Sequence, residues 1–578
     1  MKKLLSVLLV LSFFATSCQT TSSRYEVIHT ANERSDHASA EAVGTQYVVS
    51  TQGRFATKAA EKMFSLGGNI IDATVAASFA VSVERPQSTG LGGGGFMLYH
   101  EAQSGKTYAI DFRERAPLAA TKNMYVGKDG VASPQRSQNG ALAVAVPGLV
   151  AGLLDVHRKF GRLPLEKVLQ PAIELAETGF PIYEEFHRAL DFRANELKKD
   201  PAAKSIFLNA QGQVPPIGTL LVQKDLAKTL RLIAQKGKDG FYSGSVGNSL
   251  VRYSQSNGGL LTQKDLKTYE VKWREPLLGQ FHGYQVYSMP PPSSGGVHVI
   301  QFLNFLENDH LLQEGILSKK SIHLAASALQ SSFADRATYL GDPDFVSVPV
   351  KGLISPEYIH ARRNEVSLQR ARKAGEVKAG NPLPHESTET THLSLMDAQG
   401  NAVSTTQTIN GWMGAAVVAP GTGVVLNNEM DDFSAQEGSA NLFGAIGGKA
   451  NAIAPKKTPL SSMSPTLLLK EGKPIMAVGA PGGTRIISCV AQTILNYVEF
   501  KMPLYDAVAS VRYHHQWQPD VLYIDPPGPR PEVLQELKAL GYDVRLEPIP
   551  CNVMAVTREG ATLRGVADPR DIGTSVGK

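Results

Sequence analysis

The character of the chain changes at residue 390, inside the stretch HESTETTHLSLMD at 385–397. Before this point, apolar residues recur at helical spacing through much of the sequence. After it, TTHLSLMD-AQGN-AVSTTQTI alternates like a strand, a turn and a second strand, and PTLLLKEGKPIMAVGAPGG repeats that pattern. The sequence therefore predicts a helix-rich segment, 46–389, followed by a strand-rich segment, 390–578, with closely spaced threonines at the boundary.

Length and charge narrow the function classes. A chain of 578 residues is too long for one ordinary core, which predicts two lobes or one large, closely packed body. With 42% apolar and 19% charged residues, the composition is globular. A net charge of +5 over this length, without a long basic run, gives no reason to expect a nucleic-acid partner.

The first residues have the pattern of an export signal. Lys2 and Lys3 precede an apolar run, 4–15, which is too short for a membrane helix of about 20 residues. Cys18 after Ala-Thr-Ser resembles the lipoprotein box in which a cysteine is lipidated and becomes the N-terminus; the alternative is an ordinary signal with an incidental cysteine. We expect a signal peptide at 1–17, a flexible tether at 18–45, and a periplasmic or secreted protein anchored to a membrane through Cys18.

Cysteines and histidines show no metal-binding pattern. Cys489 and Cys551 are too few for a disulfide framework, and Cys489 lies in an apolar helical stretch, which predicts a buried thiol. The histidines of RYHHQW, 512–517, lack zinc-ligand spacing and are interpreted as structural. We therefore expect no metal and no organic cofactor.

The threonines at the boundary allow a specific chemistry. A threonine hydroxyl is a poor nucleophile unless a base removes its proton. A free α-amine, with a pKa of about 7.7 to 8.0, can be that base, but only if the chain is cut directly before the threonine. The hydroxyl can make this cut by attacking the preceding carbonyl, here that of Glu389. The hypothesis is self-cleavage between Glu389 and Thr390, although a Thr-Thr pair alone is ordinary for a strand.

Other segments after the boundary supply complementary groups. LNNEMDDFS at 426–434 is rich in acids, TPLSSMSPT at 458–466 in hydroxyls, and GAPGGTR at 479–485 has glycines at a strand-to-helix turn. Backbone N–H groups at a helix start can hold an oxyanion. Thr408 and Asn410 end the partner strand of the predicted hairpin, and lie near the boundary if the register allows.

These segments carry a family resemblance. TTHLS, NNEMDDFS, PLSSMSPT, GAPGGTRI, MPPPSSGG and GGNIIDATVAASFAVSVERPQSTGLGGGGF resemble γ-glutamyltransferase, a member of the N-terminal nucleophile hydrolase superfamily. The similarity runs from about residue 46 to DPR at 568–570. It implies an α+β fold with four αββα layers. It also implies a precursor that cuts itself into a large subunit, 46–389, and a small subunit, 390–578, which remain associated.

The resemblance also implies roles for individual positions. Thr390 matches the nucleophile, and Thr408 matches the threonine that hydrogen-bonds it. Arg113, Ser461 and Ser462 match the residues that bind the substrate α-carboxylate. Asn410, Glu429 and Asp432 match those that bind the α-amino group, and Gly482 and Gly483 match the oxyanion hole. The residue types suit these roles, because a guanidinium fork fits a carboxylate and two carboxylates fit an ammonium group.

The implied activity is γ-glutamyl hydrolysis and transfer. The Thr390 hydroxyl would attack the γ-carbonyl of glutathione or a related compound, and the ester would pass to water or to an amino acid or peptide. In the loop NLFGAIGG, Phe443 stands where several bacterial relatives have a tyrosine in a lid over the pocket. A phenyl ring excludes water but donates no hydrogen bond, so the balance between hydrolysis and transfer stays open.

Three alternatives remain. A related acylase acting on a glutaryl group, as in cephalosporin acylases, would not need an ammonium site, so Glu429 and Asp432 argue against it. A nucleotide-binding protein is suggested by GLGGGG at 90–95, but no strand precedes this run and FMLYHEA after it alternates like a strand. The third is a surface lipoprotein that keeps the fold and binds a partner without cleavage.

Overall fold

The computed structural model describes residues 27–34, 39–381, 391–436, 441–442, 444 and 446–578. The predicted signal peptide, Cys18, the Glu389–Thr390 bond and Phe443 lie outside the described residues. None of the helices in the described ranges combines the length and the apolar character that a bilayer crossing requires.

The strands fall on both sides of residue 390. In chain order they are β1 Glu41–Gly44, β2 Tyr47–Thr51, β3 Gly94–Glu101, β4 Lys106–Asp111, β5 Phe180–Pro181, β6 Leu220–Leu221, β7 Lys272–Arg274, β8 Leu277–Phe281, β9 Tyr284–Ser288, β10 Thr391–Asp397, β11 Ala402–Thr408, β12 Thr466–Lys470, β13 Lys473–Gly479, β14 Tyr513–His514, β15 Leu522–Ile524, β16 Val544–Leu546, β17 Met554–Glu559, β18 Thr562–Ala567 and β19 Thr574–Gly577.

Most of the helices precede residue 390. In chain order they are α1 Arg54–Ser65, α2 Ile70–Glu84, α3 Pro134–Gln138, α4 Leu149–Phe160, α5 Leu165–Thr178, α6 Glu184–Leu197, α7 Pro201–Phe207, α8 Lys224–Lys236, α9 Asp239–Tyr242, α10 Gly244–Ser256, α11 Gln263–Lys267, α12 Gly295–Leu306, α13 Lys319–Tyr339, α14 Val350–Leu353, α15 Pro356–Asn364, α16 Arg485–Val498, α17 Leu504–Ala509 and α18 Pro531–Ala539.

Two large antiparallel sheets form the centre of the described chain. The first sheet has the strand order β19-β2-β10-β11-β3-β4-β7, and the second has the order β1-β18-β17-β13-β12-β9-β8. The hairpin β10–β11 therefore lies between β2 and β3, two strands from much earlier in the sequence. The segments before and after residue 390 share both sheets, so the chain forms one closely packed body rather than two lobes.

The sheets pack face to face and are covered by helices. Val48, Phe96, Met396, Leu467 and Val556 belong to the apolar layer between them. On the outer face of the first sheet, α2 packs against β10 and β11, and α1, α4 and α5 belong to the same apolar cluster, whereas α12, α13 and α16 cover the second sheet. Because both faces of β10 and β11 are covered, every residue of these two strands is buried. The predicted αββα layering is confirmed.

Local signals explain the first two helices. The sequence predicts a break at Gly67-Gly68, and α1 ends two residues before Gly67, which has a φ of +80°. The Asn69 side chain then accepts hydrogen bonds from the backbone N–H groups of Ile71 and Asp72, which caps the start of α2. α2 itself is buried along its whole length, as its Ala- and Val-rich sequence requires.

The prediction of a flexible tether at 18–45 is wrong for its C-terminal part. Strand β1 pairs with β18 and is an edge strand of the second sheet. Farther upstream, His29 forms an isolated bridge with Ser510, and its ring nitrogen lies 3.0 Å from Asp506. Polar composition suggested a free linker, but hydrogen bonds to distant parts of the chain hold these residues against the body.

The prediction of a buried free thiol is also wrong. Cys489 in α16 is buried, but it is bonded to Cys551, which precedes β17; their Cα atoms lie 6.7 Å apart. The partners are 62 positions apart, so only the fold reveals the pairing. Both cysteines follow residue 390, so the cross-link lies within the predicted small subunit.

We expect Cys489→Ala and Cys551→Ala each to lower the stability of the protein by about 4 kcal/mol, because the loop they close is no longer constrained in the unfolded state. Thermal or urea unfolding would measure this loss. The double variant should lose little more than either single variant, because one bond is removed in all three. An unchanged unfolding midpoint in both single variants would contradict a stabilising cross-link.

Candidate active site

The end of the β10–β11 hairpin forms one wall of the candidate site. Thr391 opens β10 opposite Gln407, and Thr408 is the next and last residue of β11. Thr390 directly precedes Thr391 and lies outside the described residues. The Thr408 hydroxyl is buried and accepts a 2.7 Å hydrogen bond from the backbone N–H of Asn410. Thr408 thus lies next to the point where the described part of β10 begins.

The glycine run at 90–95 lies against the end of strand β11 in this hairpin. Gly94 begins β3 and pairs with Thr408 in β11. A Cβ atom on Gly93 would lie 1.8 Å from the Thr408 carbonyl oxygen, so the two backbones approach too closely for a side chain. Since the run leads into a strand rather than a helix, it lacks the geometry of a dinucleotide-binding loop.

A buried guanidinium occupies the centre of the site. Arg113 follows β4 and is fully buried. Its Nη1 donates a hydrogen bond to Glu429 Oε1, and its Nη2 donates one to Asp432 Oδ2 at 2.6 Å. Glu114 Oε2 is 3.7 Å from the same Nη1. One cation therefore faces three carboxyl groups, two of which belong to the short 3-10 turn Glu429–Asp432.

Burial and charge shift these groups in opposite directions. Burial raises the pKa of Glu114 to about 7, although the Arg113 charge opposes this shift. Burial also raises the pKa of Glu429 well above its ordinary value. For Arg113, burial alone would lower the pKa, but Glu429 and Asp432 reverse this effect and raise it. The guanidinium stays charged, whereas Glu114 and Glu429 each have a pKa above the ordinary value of a glutamate.

Asn410 connects the hairpin to the acidic turn. It has a φ of +70°, a left-handed conformation that asparagine tolerates. Its Nδ2 donates to the Asn428 carbonyl at 3.1 Å, and Asn428 Oδ1 accepts the Gly411 N–H at 3.0 Å. The buried Oδ1 of Asn410 has no hydrogen-bond partner among the described residues. This free acceptor suits an ammonium or amide donor of a ligand.

The two predicted serines are held by a second loop. The carbonyl of Ser461 accepts the backbone N–H of Ser294, from the motif MPPPSSGG, at 2.7 Å. Ser462 Oγ accepts a 2.8 Å hydrogen bond from Arg336 of α13. Arg113 reaches this loop through Nε, which lies 3.4 Å from the carbonyl oxygen of Pro459. In the described contacts, neither serine hydroxyl bonds directly to Arg113.

Gly482 and Gly483 form a turn before α16. Their φ values are +133° and +62°. Neither backbone N–H donates a hydrogen bond to another described residue, so both are available as donors. A Cβ atom on Gly482 would lie 2.5 Å from both the Cys551 Cβ and the Pro550 carbonyl oxygen, so this position requires glycine.

His392, two residues after Thr390, is buried and has both ring nitrogens near hydroxyl groups, as expected for a structural histidine. Its Nδ1 lies 2.9 Å from the Thr406 hydroxyl and its Nε2 lies 3.0 Å from the Ser394 hydroxyl, between the two sheets. Burial lowers its pKa to about 3, so the ring is neutral near pH 7. Among the described residues, no group of three or more His, Cys, Asp or Glu side chains is arranged to hold a metal.

The structure brings most of the predicted residues together. Arg113, Glu429 and Asp432 are in direct contact, and Asn410 and Gly482 line one cavity of about 760 Å³. Sequence reasoning missed Glu114 and Asn428, although both adjoin predicted residues in DFRERAP and LNNEMDDFS. It also missed Arg336, since nothing local indicates that this part of α13 reaches Ser462.

Comparisons with known proteins agree on one family. The family model described as gamma-glutamyltranspeptidase matches residues 56–577. The chain is 41% identical to the glutathione hydrolase proenzyme of Escherichia coli (strain K12), over 91% of each chain. It is 39% identical to the acylase ACY 1 proenzyme of Pseudomonas sp. (strain SE83), over 93% of this chain and 94% of the relative. The crystal structure of cephalosporin acylase from Bacillus halodurans has a TM-score of 0.82 at 25% identity, covering 98% of this chain and 99% of that one.

We expect Glu114→Gln to alter the pH dependence of stability. The pKa of Glu114 is raised from 4.5 in the unfolded chain to about 7 in the folded protein. Its contribution to the free energy of unfolding is therefore full below about pH 4.5 and is lost as the pH rises through 7. This group adds a slope of up to about 1.4 kcal/mol per pH unit to the wild type. Between pH 5 and pH 8 the variant should therefore become progressively more stable relative to the wild type.

Urea unfolding at several pH values measures this difference. Glu166→Gln, a substitution of an exposed glutamate on α5, is the matched control and should show no such trend. A stability difference between Glu114→Gln and the wild type that stays constant with pH would contradict the raised pKa.

Proposed function

The chain belongs to the γ-glutamyltranspeptidase family, and on that premise we propose that it is an enzyme that cleaves the γ-glutamyl amide of glutathione and related compounds. The γ-glutamyl group passes to water or to an amino acid or peptide acceptor. The observation that carries this proposal is the contact of one buried guanidinium, Arg113, with the carboxylates of Glu429 and Asp432. A γ-glutamyl group has the complementary pair of charges at its α-carbon.

Substrate binding is an exchange of ion pairs. Without substrate, the guanidinium of Arg113 is paired with both acids away from water. The α-carboxylate of the substrate replaces the acids as the partner of Arg113, with Ser461 and Ser462 as further donors. The α-ammonium group takes the place of Arg113 beside Glu429 and Asp432. The free Oδ1 of Asn410 accepts one of its hydrogens.

Acyl transfer then proceeds in two steps. Thr390 Oγ forms a bond to the γ-carbon while its own α-amine takes the hydroxyl proton. The C–N bond breaks, and the proton moves to the leaving nitrogen. Thr408 positions Thr390, and the N–H groups of Gly482 and Gly483 hold the oxyanion. Water or an acceptor amine attacks the γ-glutamyl ester in the second step, which restores Thr390.

Self-cleavage between Glu389 and Thr390 produces the nucleophile. The large subunit, 46–389, and the small subunit, 390–578, remain together as a heterodimer. Support comes from the sheets, because β10 hydrogen-bonds to β2, and β11 to β3, across the proposed cut. No metal or organic cofactor takes part in this scheme.

Export is part of the proposal. A signal peptide at 1–17 directs the chain out of the cytoplasm to the periplasm or beyond, and lipidation of Cys18 anchors it to a membrane. Support comes from the sequence pattern and from the Cys489–Cys551 bond, since disulfides persist mainly in oxidising compartments.

The alternative is an acylase that removes a glutaryl side chain. It is favoured by the 39% identical acylase proenzyme and by the likeness to a cephalosporin acylase. A glutaryl group lacks the α-amine, however, and would leave the buried carboxylates of Glu429 and Asp432 without a cationic partner once Arg113 turned to the substrate. We therefore favour γ-glutamyl substrates.

Replacing the nucleophile tests both the cleavage and the chemistry. Thr390→Ala should accumulate as one uncut chain and release no p-nitroaniline from γ-glutamyl-p-nitroanilide. The wild type should give two fragments, one of them beginning at Thr390. Intact mass spectrometry of the purified mature protein distinguishes these cases and also reports a lipid on Cys18. Full activity of Thr390→Ala would end the assignment.

A comparison of two anilides separates the alternatives. The wild type should have a kcat/KM at least about 100-fold higher for γ-glutamyl-p-nitroanilide than for glutaryl-p-nitroanilide, which lacks the α-amine. Asp432→Asn should narrow this ratio, because one ammonium partner is lost. Equal or faster turnover of the glutaryl compound by the wild type would favour the acylase.

A further inference from the structure

We propose that Arg188, in the wall of the cavity beside Gly482, binds the carboxylate of the leaving-group peptide and of the acceptor. The aromatic pair Phe192–Trp412 contacts their side chains. This inference rests on the proposed γ-glutamyl transfer and adds the chemistry by which the second half of the substrate is recognised.

The position of the cavity separates it from the γ-glutamyl groups. Asn410, Pro481 and Gly482 form one part of its wall, where the proposed oxyanion donors lie. Arg113, Glu429 and Asp432, the proposed partners of the γ-glutamyl α-carbon, do not line it. A substrate whose γ-carbonyl faces Gly482 therefore has its γ-glutamyl end in the buried charge cluster and its other end in the cavity.

Two of the three arginines that line the cavity are already neutralised. Arg85 lies 2.5 Å from Glu185 and 3.4 Å from Asp571. Arg570 lies 3.0 Å from Asp525. Glu185 and Asp571 thus share Arg85, and Asp525 is paired with Arg570, so each carboxylate of the cavity wall already has a cationic partner within the protein.

Arg188 is the remaining cation of the wall. It is exposed on α6, and no ion pair or hydrogen bond joins its guanidinium to another described residue. A guanidinium in a concave wall whose carboxylates are already paired is suited to the carboxylate of a ligand, to which it can donate two parallel hydrogen bonds. The leaving peptide of glutathione and an amino acid acceptor both have such a carboxylate.

An exposed aromatic pair lies beside this cation. Phe192 is 72% exposed and Trp412 is 37% exposed, and their ring centroids are 5.8 Å apart in an edge-to-face arrangement. Phe192 lies four residues after Arg188 and therefore on the same face of α6. Leu442, also exposed, borders the same cavity. Apolar side chains grouped in this way around a cavity mark a binding surface for an apolar group.

The test compares donors with and without a carboxylate in the leaving group. The donors are glutathione, its glycine ethyl ester and γ-glutamyl-p-nitroanilide. Arg188→Ala should lower kcat/KM for glutathione about 10-fold more than for the anilide, the loss expected for one exposed charge-assisted hydrogen bond. The ester should resemble the anilide in its response. Arg188→Lys should recover part of the loss, since it keeps the charge but not the fork.

Matched variants define the outcomes. Arg252→Ala removes an exposed arginine on α10 that does not line the cavity, and should leave the ratio of the donors as in the wild type. Trp412→Ala should reduce transfer to phenylalanine more than transfer to glycine. Equal losses for all three donors in Arg188→Ala, or no loss for any, would overturn the inference. If the wild type does not cleave even the anilide, the proposed function itself fails, so the two failures are distinguishable.

Discussion

The hydrogen-bond ladder around the β10–β11 hairpin is the constraint on which the site depends. The hairpin lies in the middle of the first sheet, with β2 on one side and β3 on the other. Its register sets Thr408 beside the start of β10, and the glycine run that leads into β3 allows the close approach of the backbones there. Because the ladder joins strands from both proposed subunits, a cut before β10 removes one covalent bond and leaves the surrounding sheet intact.

Charged residues around the candidate site lie at increasing distance from this hairpin and differ in how they are paired. The innermost group is Arg113, which pairs with Glu429 and Asp432, and burial raises the pKa of Glu429 and of the neighbouring Glu114. Farther out, Arg85 and Arg570 are paired within the protein, and Arg188 is exposed and has no ion-pair partner among the described residues. Under the proposed function, the site is therefore divided into a buried part for the two opposite charges of the γ-glutamyl group and an open part for one negative charge.

Some of this arrangement is readable in the sequence. The break before Asn69, the hairpin after Thr390 and the layered fold were predicted, because capping, turn and alternation signals are local, or because whole motifs resemble a family. Contacts between positions far apart in the sequence were not predicted. The Cys489–Cys551 bond, the Arg336–Ser462 hydrogen bond and the pairing of β1 depend on how the sheets stack. The polar residues of α13 likewise suggest an exposed face, yet most of the helix is buried, and polar groups such as the Arg336 guanidinium and the Gln330 Nε2 donate hydrogen bonds to distant parts of the chain.

The burial of the disulfide has a consequence for an enzyme whose proposed substrate and product are both thiols. Thiol–disulfide exchange requires a thiolate to reach one of the two sulfur atoms. Cys489 and Cys551 are at most 1% exposed, so glutathione at the entrance of the cavity has no path to them while the fold is closed. Cys551 also touches Gly482. Shielding this bond keeps the turn that contains the proposed oxyanion donors from being loosened by the proposed substrate.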